Sequence, residues 1–477
     1  MKGNRARYGG AILAVGLATA FGYAGPLVLR STIDSVIGSR PLNLPGPLVN
    51  LFTALGGREA FVHALWASGL VIVGITLLNG LFSLIQGRFA AVAAESTAQN
   101  MRNRLYDHLQ HLPYDYHGKA ETGDLIQRCT SDVETVRRFI AVQLVEVGRT
   151  FFLVGLAVPL LFSLAARLAL IALAVVPLIF GFSFFFFSWV RSAFARSDAA
   201  EGRMSTTLQE NLTGVRVVRA FGRQSFELER FDRRNAEYRN LTYRLVRLLA
   251  TYWSISDLLC MFQIGVLLIV GILWARAGQL SIGTLVVFLT VEGMLLWPVR
   301  QMGRILADMG KAAVSLGRIS QILGEVVEPM DAGGKRSPIR GGVEFRNVSF
   351  AYPNGQPVLR NISFVAAPGS TVAILGPTGS GKSSLVQLLP RLYDYTSGAV
   401  FIDGVELKSI DRVWVRRHVG FVLQEPFLYA RTIRQNIRMA RSQATNAEIE
   451  DAARAAAVHD VIVGFDRGYE TPIGERG

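Results

Sequence analysis

Cysteine is nearly absent from this sequence: Cys129 and Cys260 are the only two among 477 residues. A disulfide scaffold and any Cys-rich zinc or iron–sulfur site are excluded with them. Charge is scarce as well, at 18% of residues, where soluble domains carry roughly 25%. Half of the residues are hydrophobic and the mean hydropathy is +0.32, which excludes a disordered chain and argues against a purely soluble enzyme. Acidic residues are outnumbered, 36 against 50 basic ones, for a net charge of +14. An excess of this kind raises the question of nucleic acid, and the placement of the charges answers it.

What is present in quantity is long apolar sequence. Six stretches, at roughly 10–29, 61–86, 139–163, 165–190, 252–275 and 282–303, reach the ~20 residues needed to cross a hydrocarbon core. The third and fourth form one apolar hairpin from Phe139 to Val190, broken near Ser163-Leu164-Ala165-Ala166-Arg167. The first is too long for a signal peptide and lacks a small-residue cleavage site. Basic residues collect on one side of these spans. Lys2, Arg5 and Arg7 precede the first span. Arg88, Arg102, Arg104, Lys119, Arg128, Arg137 and Arg138 separate the second from the third, and a run beginning Arg191, Arg196 and Arg203 follows the fourth. The opposite loops hold only Arg30, Arg40, Arg58, Arg167 and Arg276. By the positive-inside rule both termini are expected in the cytoplasm of a multi-pass protein of a bacterial inner membrane. Since the basic residues flank spans and no aromatic-interleaved patch accompanies them, no nucleic-acid partner is expected.

Residues 87–138 and 191–251 are too long and too free of breakers for loops. They read as spans continuing beyond the bilayer as helices, reversing at Pro113 to Asp124 and at Gly214 to Gly222. Near residue 325 the composition shifts. The expected division is a transmembrane domain over 1–325, a linker over 326–340 and a nucleotide-binding domain over 341–477. The last shows short β-type runs at Val343–Phe345, Ser349–Tyr352, Thr371–Leu375, Val400–Ile402 and Val419–Leu423, alternating with helical patterns, which indicates an α/β domain.

Within it stands Gly376-Pro377-Thr378-Gly379-Ser380-Gly381-Lys382-Ser383, the G-x-x-x-x-G-K-[ST] pattern, followed by Ser384 at the opening of a helix. Glycines let the backbone wrap closely around phosphate so that its N–H groups face the anion. Lys382 is placed to reach the β- and γ-phosphates, and the Ser383 hydroxyl to ligate Mg²⁺. ATP with Mg²⁺ is the expected cofactor.

With these motifs in hand the chain resembles the ATP-binding-cassette (ABC) exporters over nearly its whole length. Val348-Ser349-Phe350-Ala351-Tyr352-Pro353 resembles the family's A-loop, which implies that Tyr352 stacks on adenine; a buried structural tyrosine is the alternative. Phe421-Val422-Leu423-Gln424-Glu425-Pro426 resembles the Q-loop, which implies that Gln424 contacts Mg²⁺ and the attacking water as a catalytic residue. Thr471-Pro472-Ile473-Gly474-Glu475-Arg476-Gly477 is similar to the X-loop. Thr122-Gly123-Asp124-Leu125-Ile126 and Gly214-Val215-Arg216-Val217-Val218 resemble segments near the two coupling helices.

The sequence stops at Gly477, before the place where the family carries its LSGGQ signature, Walker B acid pair and switch histidine. The expectation is therefore an ABC exporter half-transporter, six membrane helices with long helical extensions followed by an incomplete α/β P-loop domain. It works as a dimer with a second half-transporter, homo- or heteromeric, and hydrolyses no ATP alone. The alternative is an ATP-binding regulatory half. The resemblance leaves the substrate open among lipids, drugs and peptides. Glu292, deep in the sixth apolar stretch, is a candidate substrate-pathway residue, the alternative being a carboxyl facing internal water or a neighbouring span. Phe184 to Phe187 with Trp189 is expected to face lipid near an interface.

Overall fold

A computed structural model of the chain describes residues 4–38, 65–330, 333–353, 355–424 and 427–474. Lys2, Arg40, Arg58, the first residues of the stretch expected at 61–86, Asp331-Ala332 of the linker, Glu425-Pro426 and Glu475-Arg476-Gly477 lie outside them. The described residues form two compact units: one of residues 1–112 and 119–327, the other of residues 113–118 and 328–477.

The first unit is helical. Its main elements are α1 (Arg5–Ser31), α2 (Leu65–Gln110), the short α3 (Tyr114–Lys119, shared with the second unit), α4 (Thr122–Gln127), α5 (Val133–Arg138), α6 (Leu144–Ala174), α7 (Val176–Thr213), the short α8 (Val215–Ala220), α9 (Gln224–Arg276) and α10 (Ile282–Gly324). Among the described residues, five helical runs are long and apolar enough to cross a membrane. The run over Thr122–Thr213 carries both apolar stretches expected at 139–163 and 165–190. Its backbone leaves helical geometry at Ala165 (φ −161°, ψ 94°), inside the expected break. At 1.5 Å per residue, α2 is about 69 Å long and α9 about 80 Å, both far longer than a bilayer core. The two expected turning points fall on short helices: α3 follows the end of α2, and α8 sits between Gly214 and Gly222, whose φ of +61° ends the turn.

Helices in lipid gain nothing from hiding apolar surface from water, so close contact and interhelical hydrogen bonds must hold them. Ala11, Ala14, Val15 and Ala18 of α1 and Ala90, Ala93, Ala94 and Ala98 of α2 are buried, small residues at helical spacing on two helices that pack together. At Gly303 a Cβ would fall 2.4 Å from the Phe187 ring and 2.9 Å from the Ser183 carbonyl, so only glycine lets α10 approach α7 there. Polar ties cross between helices. The Tyr23 hydroxyl donates to the Leu153 carbonyl (2.9 Å), Tyr252 to the Arg300 carbonyl (2.7 Å), and the Gln263 amide to the Ala172 carbonyl (2.7 Å). Asp34 accepts from the Ser281 hydroxyl and the Gly283 amide, capping the start of α10. The Phe184–Phe187 run divides: Phe184, Phe185 and Trp189 are exposed, whereas Phe186 and Phe187 are buried against Tyr252. A helix turns 100° per residue, so four consecutive side chains cannot share one face.

The second unit contains an antiparallel sheet of order β2-β1-β3-β4, built from β1 (Val343–Ala351), β2 (Pro357–Ala366), β3 (Ser397–Ile402) and β4 (Val405–Glu406). Helices α11 (Lys382–Leu388), α12 (Arg412–His418), α13 (Ile433–Ile437), α14 (Asn446–Ala455) and α15 (His459–Val463) complete it. Phe345, Val348, Phe350, Val400 and Ile402 of the sheet pack with Leu385 and Leu388 of α11 and Val415 of α12. Within this unit Tyr114 meets Tyr393 edge-on at 5.5 Å.

Two sequence expectations fail here. Thr371–Leu375 and Val419–Leu423 are not strands. An apolar run makes a stable central strand only when neighbours satisfy its backbone on both edges and layers cover both faces. Among the described residues no strand lies alongside either run, and Leu375 and Val422 are 93% and 97% exposed. Glu328, Arg336 and Ser337 of the expected linker are pinned to the second unit. Glu328 accepts from Arg416 (2.8 Å) and Arg412, Arg336 pairs with Asp411 (2.9 Å), and the Trp414 indole donates to the Ser337 carbonyl (2.9 Å).

Candidate functional site

Two places in the chain carry recognisable chemistry, one in each unit. In the second unit, residues 376–381 form an exposed turn leading into α11. Gly379 and Gly381 take φ of +85° and +89°, a region open to glycine and costly for other residues. Gly381 is also sterically fixed: a Cβ there would sit 2.8 Å from Leu359 Cδ2 and 3.0 Å from Val358 Cγ1. The Lys382 ammonium folds back over the turn and donates to the carbonyls of Gly376 (2.9 Å) and Pro377 (2.8 Å). It is thereby held within the loop it is expected to serve. The Ser383 side chain is exposed at the second position of α11, and Ser384 is buried beneath it. The Ser384 hydroxyl is 2.8 Å from the Tyr352 hydroxyl.

This last bond brings Tyr352 to the start of α11. The ring is half-buried, edge-on to Phe350 (4.8 Å) and to Tyr393 (5.1 Å). Tyr352 and the P-loop helix are thus joined. Gln424 is not joined to them. It lies exposed at a bend with no hydrogen bond among the described residues, because the run that would deliver it is not held in a ladder. Among the described residues no group of three His, Cys, Asp or Glu side chains is placed to hold a metal ion. A Mg²⁺ ion fits the loop only as such ions usually bind, through one hydroxyl, water and phosphate oxygens.

In the first unit a cavity of about 540 Å³ opens among α1, α2, α6, α10 and the turn preceding α6. Its polar lining comes from Asn79 and Gln86 of α2, Gln143, Glu146 and Arg149, and Gln301 and Arg304 of α10. Glu146 and Arg149 pair at 3.5 Å. Gln301 is 7% exposed, and its Oε1 has no hydrogen-bond partner among the described residues. An apolar groove of about 370 Å³, lined by Phe21, Pro26, Leu29, Ile72 and Ile75, shares Gly22, Asn79 and Met294 with this cavity.

Glu292 is elsewhere. It is fully buried among Val291, Leu295 and Cys260, does not line the cavity, and neither of its carboxyl oxygens has a hydrogen-bond partner among the described residues. The cavity residues were detectable in principle. Asn79, Ser83 and Gln86 recur at i, i+4 and i+7 within an apolar run. Polar residues at a helical period inside a span mark a face turned away from lipid.

Residues 9–299 match the ABC transporter transmembrane region and residues 359–467 the ABC transporter family. The chain is 31% identical to the uncharacterized ABC transporter ATP-binding protein YknU of Bacillus subtilis (strain 168), over 98% of this chain and 77% of that protein. It is 32% identical to the ATP-dependent lipid A-core flippase of Syntrophus aciditrophicus (strain SB), over 86% and 68%. Its fold matches a bacterial Atm1-family ABC exporter solved with ATP bound, with a TM-score of 0.75 at 23% identity, over 99% of this chain and 80% of that one. The chain is a multi-pass membrane protein with an ATP-binding cassette. It belongs to the ABC transporter family, as an exporter-type half-transporter.

Proposed function

We propose that this chain is the membrane and nucleotide-gripping part of an ATP-driven exporter of amphipathic molecules, working as a dimer with a second half-transporter and with both termini in the cytoplasm. The observation that carries the reading is the P-loop. One chain holds membrane-crossing helices and a glycine turn whose lysine is already drawn onto the loop carbonyls. When nucleotide binds, Lys382 exchanges those two carbonyls for phosphate oxygens, and the loop amides turn toward the same anion. Ser383 offers its hydroxyl to Mg²⁺. Tyr352, tied to Ser384, presents its aromatic face for the base, and Gln424 senses the γ-phosphate. ATP supplies the free energy that a transport cycle needs, and only a difference in nucleotide affinity between two conformations can convert it into movement. Nucleotide binding is what we assign to these residues.

The cavity supports the substrate class. A polar chamber with Arg304 and the Glu146–Arg149 pair, continuous with an apolar groove, suits a molecule with a polar head and an apolar tail. A relative that is a lipid A-core flippase is consistent with this.

The test is equilibrium binding of ATP to the purified chain in lipid nanodiscs with and without Mg²⁺. The reading expects saturable binding that Lys382→Ala weakens at least tenfold, and a Mg²⁺ dependence that Ser383→Ala removes. Equal affinity in wild type and Lys382→Ala would overturn it.

A further inference from the structure

A second pocket in the first unit, of about 560 Å³, is lined from three directions. Gln127, Ser131, Asp132, Thr135, Arg138 and Phe139 come from the Thr122–Thr213 run before its first span. Arg191, Phe194 and Asp198 come from α7 just after the second, and Asp308, Lys311, Ser315 and Arg318 from α10. The sequence fixes its depth. Arg138 immediately precedes the apolar hairpin that begins at Phe139, and Arg191 immediately follows its end at Val190. Trp189, exposed and next to that boundary, is the residue type that marks the interface. One end of the pocket, at Arg138, Phe139, Arg191 and Phe194, therefore meets the hydrocarbon boundary, and the rest extends from it through Lys311 toward Asp132 and Arg318.

Its charges are only partly paired internally. Arg318 holds Asp132 at 2.6 Å, and Lys311 reaches Asp308 only at 3.9 Å while its ammonium rests 4.0 Å above the Phe194 ring. Arg191 and Asp198 have no ion pair among the described residues. Within the lining four cations face three acids, and Arg138 also reaches Glu134, outside it, at 3.8 Å. Asp132 is 2% exposed, and its Oδ1 accepts from Ser315 and Arg318, which fixes it beneath the charged lining.

We propose that this pocket binds the headgroup of an anionic phospholipid from the surrounding bilayer. The phosphodiester sits between Arg191 and Lys311, where one negative charge matches the single excess cation of the lining. The apolar rings of Phe139 and Phe194 lead the acyl chains back to the lipid.

The test is native mass spectrometry of the delipidated full chain, titrated with phosphatidylglycerol, phosphatidylethanolamine and inorganic phosphate. Phosphatidylglycerol is expected to bind more tightly than phosphatidylethanolamine, and millimolar inorganic phosphate is expected not to displace it. Arg191→Gln and Lys311→Gln should each weaken phosphatidylglycerol about fivefold, the value of one basic residue at an anionic lipid surface, and the double variant more than tenfold. Arg196→Gln, outside the pocket, and Arg304→Gln, in the transport cavity, should stay within twofold. Circular dichroism of each variant confirms that it is folded, and the wild-type affinity should fall with added salt whatever the variants do. Phosphatidylglycerol binding that survives the double variant, that Arg196→Gln weakens equally, or that inorganic phosphate displaces would overturn the proposal, as would equal binding of the two lipids.

Discussion

Gly381→Ala isolates the part of the P-loop that depends on backbone shape alone. Two costs add at this position. A residue with a side chain at φ +89° gives up about 1–2 kcal/mol relative to ordinary helical geometry. The new Cβ must also displace Leu359 Cδ2 at 2.8 Å and Val358 Cγ1 at 3.0 Å, a local overpacking of about 1–3 kcal/mol. The sum is about 3 kcal/mol, or roughly a hundredfold in an equilibrium constant. Gly379 is the internal control: its φ is +85° but its Cβ position is open, so Gly379→Ala bears the conformational cost only, about tenfold. The assay is hydrogen exchange of the α11 amides without nucleotide, beginning at Leu385, whose N–H bonds the Gly381 carbonyl at 2.9 Å. Exchange reports the local opening free energy directly. Gly381→Ala should exchange about ten times faster than Gly379→Ala, which in turn exceeds wild type. Equal exchange in the two variants would show that Leu359 and Val358 do not confine the loop.

Other substitutions probe the rest of the account. Glu328→Ala leaves Arg412 and Arg416 without their shared carboxylate. Losing one side of a buried pair costs about 3–5 kcal/mol, reduced here to about 2 because Arg416 is partly exposed and Arg412 keeps Asp394 at 3.0 Å. The cassette's thermal transition should fall by about 5 °C, and no change in calorimetry would refute the clamp. Burial alone would raise the Asp394 carboxyl, but hydrogen bonding and charge from Arg391, with Arg412 and Lys408, outweigh it and hold it below the usual range. Its contribution is then present above the ordinary carboxylate value and lost as pH falls through the folded one. Asp394→Asn should therefore flatten the acid limb of a denaturation-versus-pH curve, and an unchanged limb would contradict the assignment. Glu292→Gln removes a buried carboxyl that has no hydrogen-bond partner among the described residues and does not line the cavity. Amphiphile binding should be unchanged; weakened binding of a cationic amphiphile would place Glu292 in the pathway.

How much of this was legible in the sequence depended on the range of the interaction. Hydropathy is a property of each segment, so the apolar runs and the break that falls at Ala165 could be read directly. The P-loop was legible because its glycines serve a local backbone shape, seen in the φ values of Gly379 and Gly381. Tyr352 and Ser384 are 32 residues apart, and their bond exists only because β1 and α11 share one core. The strands expected at Thr371–Leu375 and Val419–Leu423 failed because composition states a preference while ladder neighbours decide it. Glu292 shows a similar limit. Depth along a span is readable, but which way the side chain turns depends on packing against other helices.

The central claim is that residues 376–384 grip the phosphates of ATP. Hydrogen exchange of the full chain in nanodiscs, with and without ATP and Mg²⁺, tests it most directly. The account predicts slowed exchange at the loop amides and the start of α11 in wild type and none in Lys382→Ala. Protection that persists in Lys382→Ala, or that appears elsewhere and never at 376–384, would contradict it.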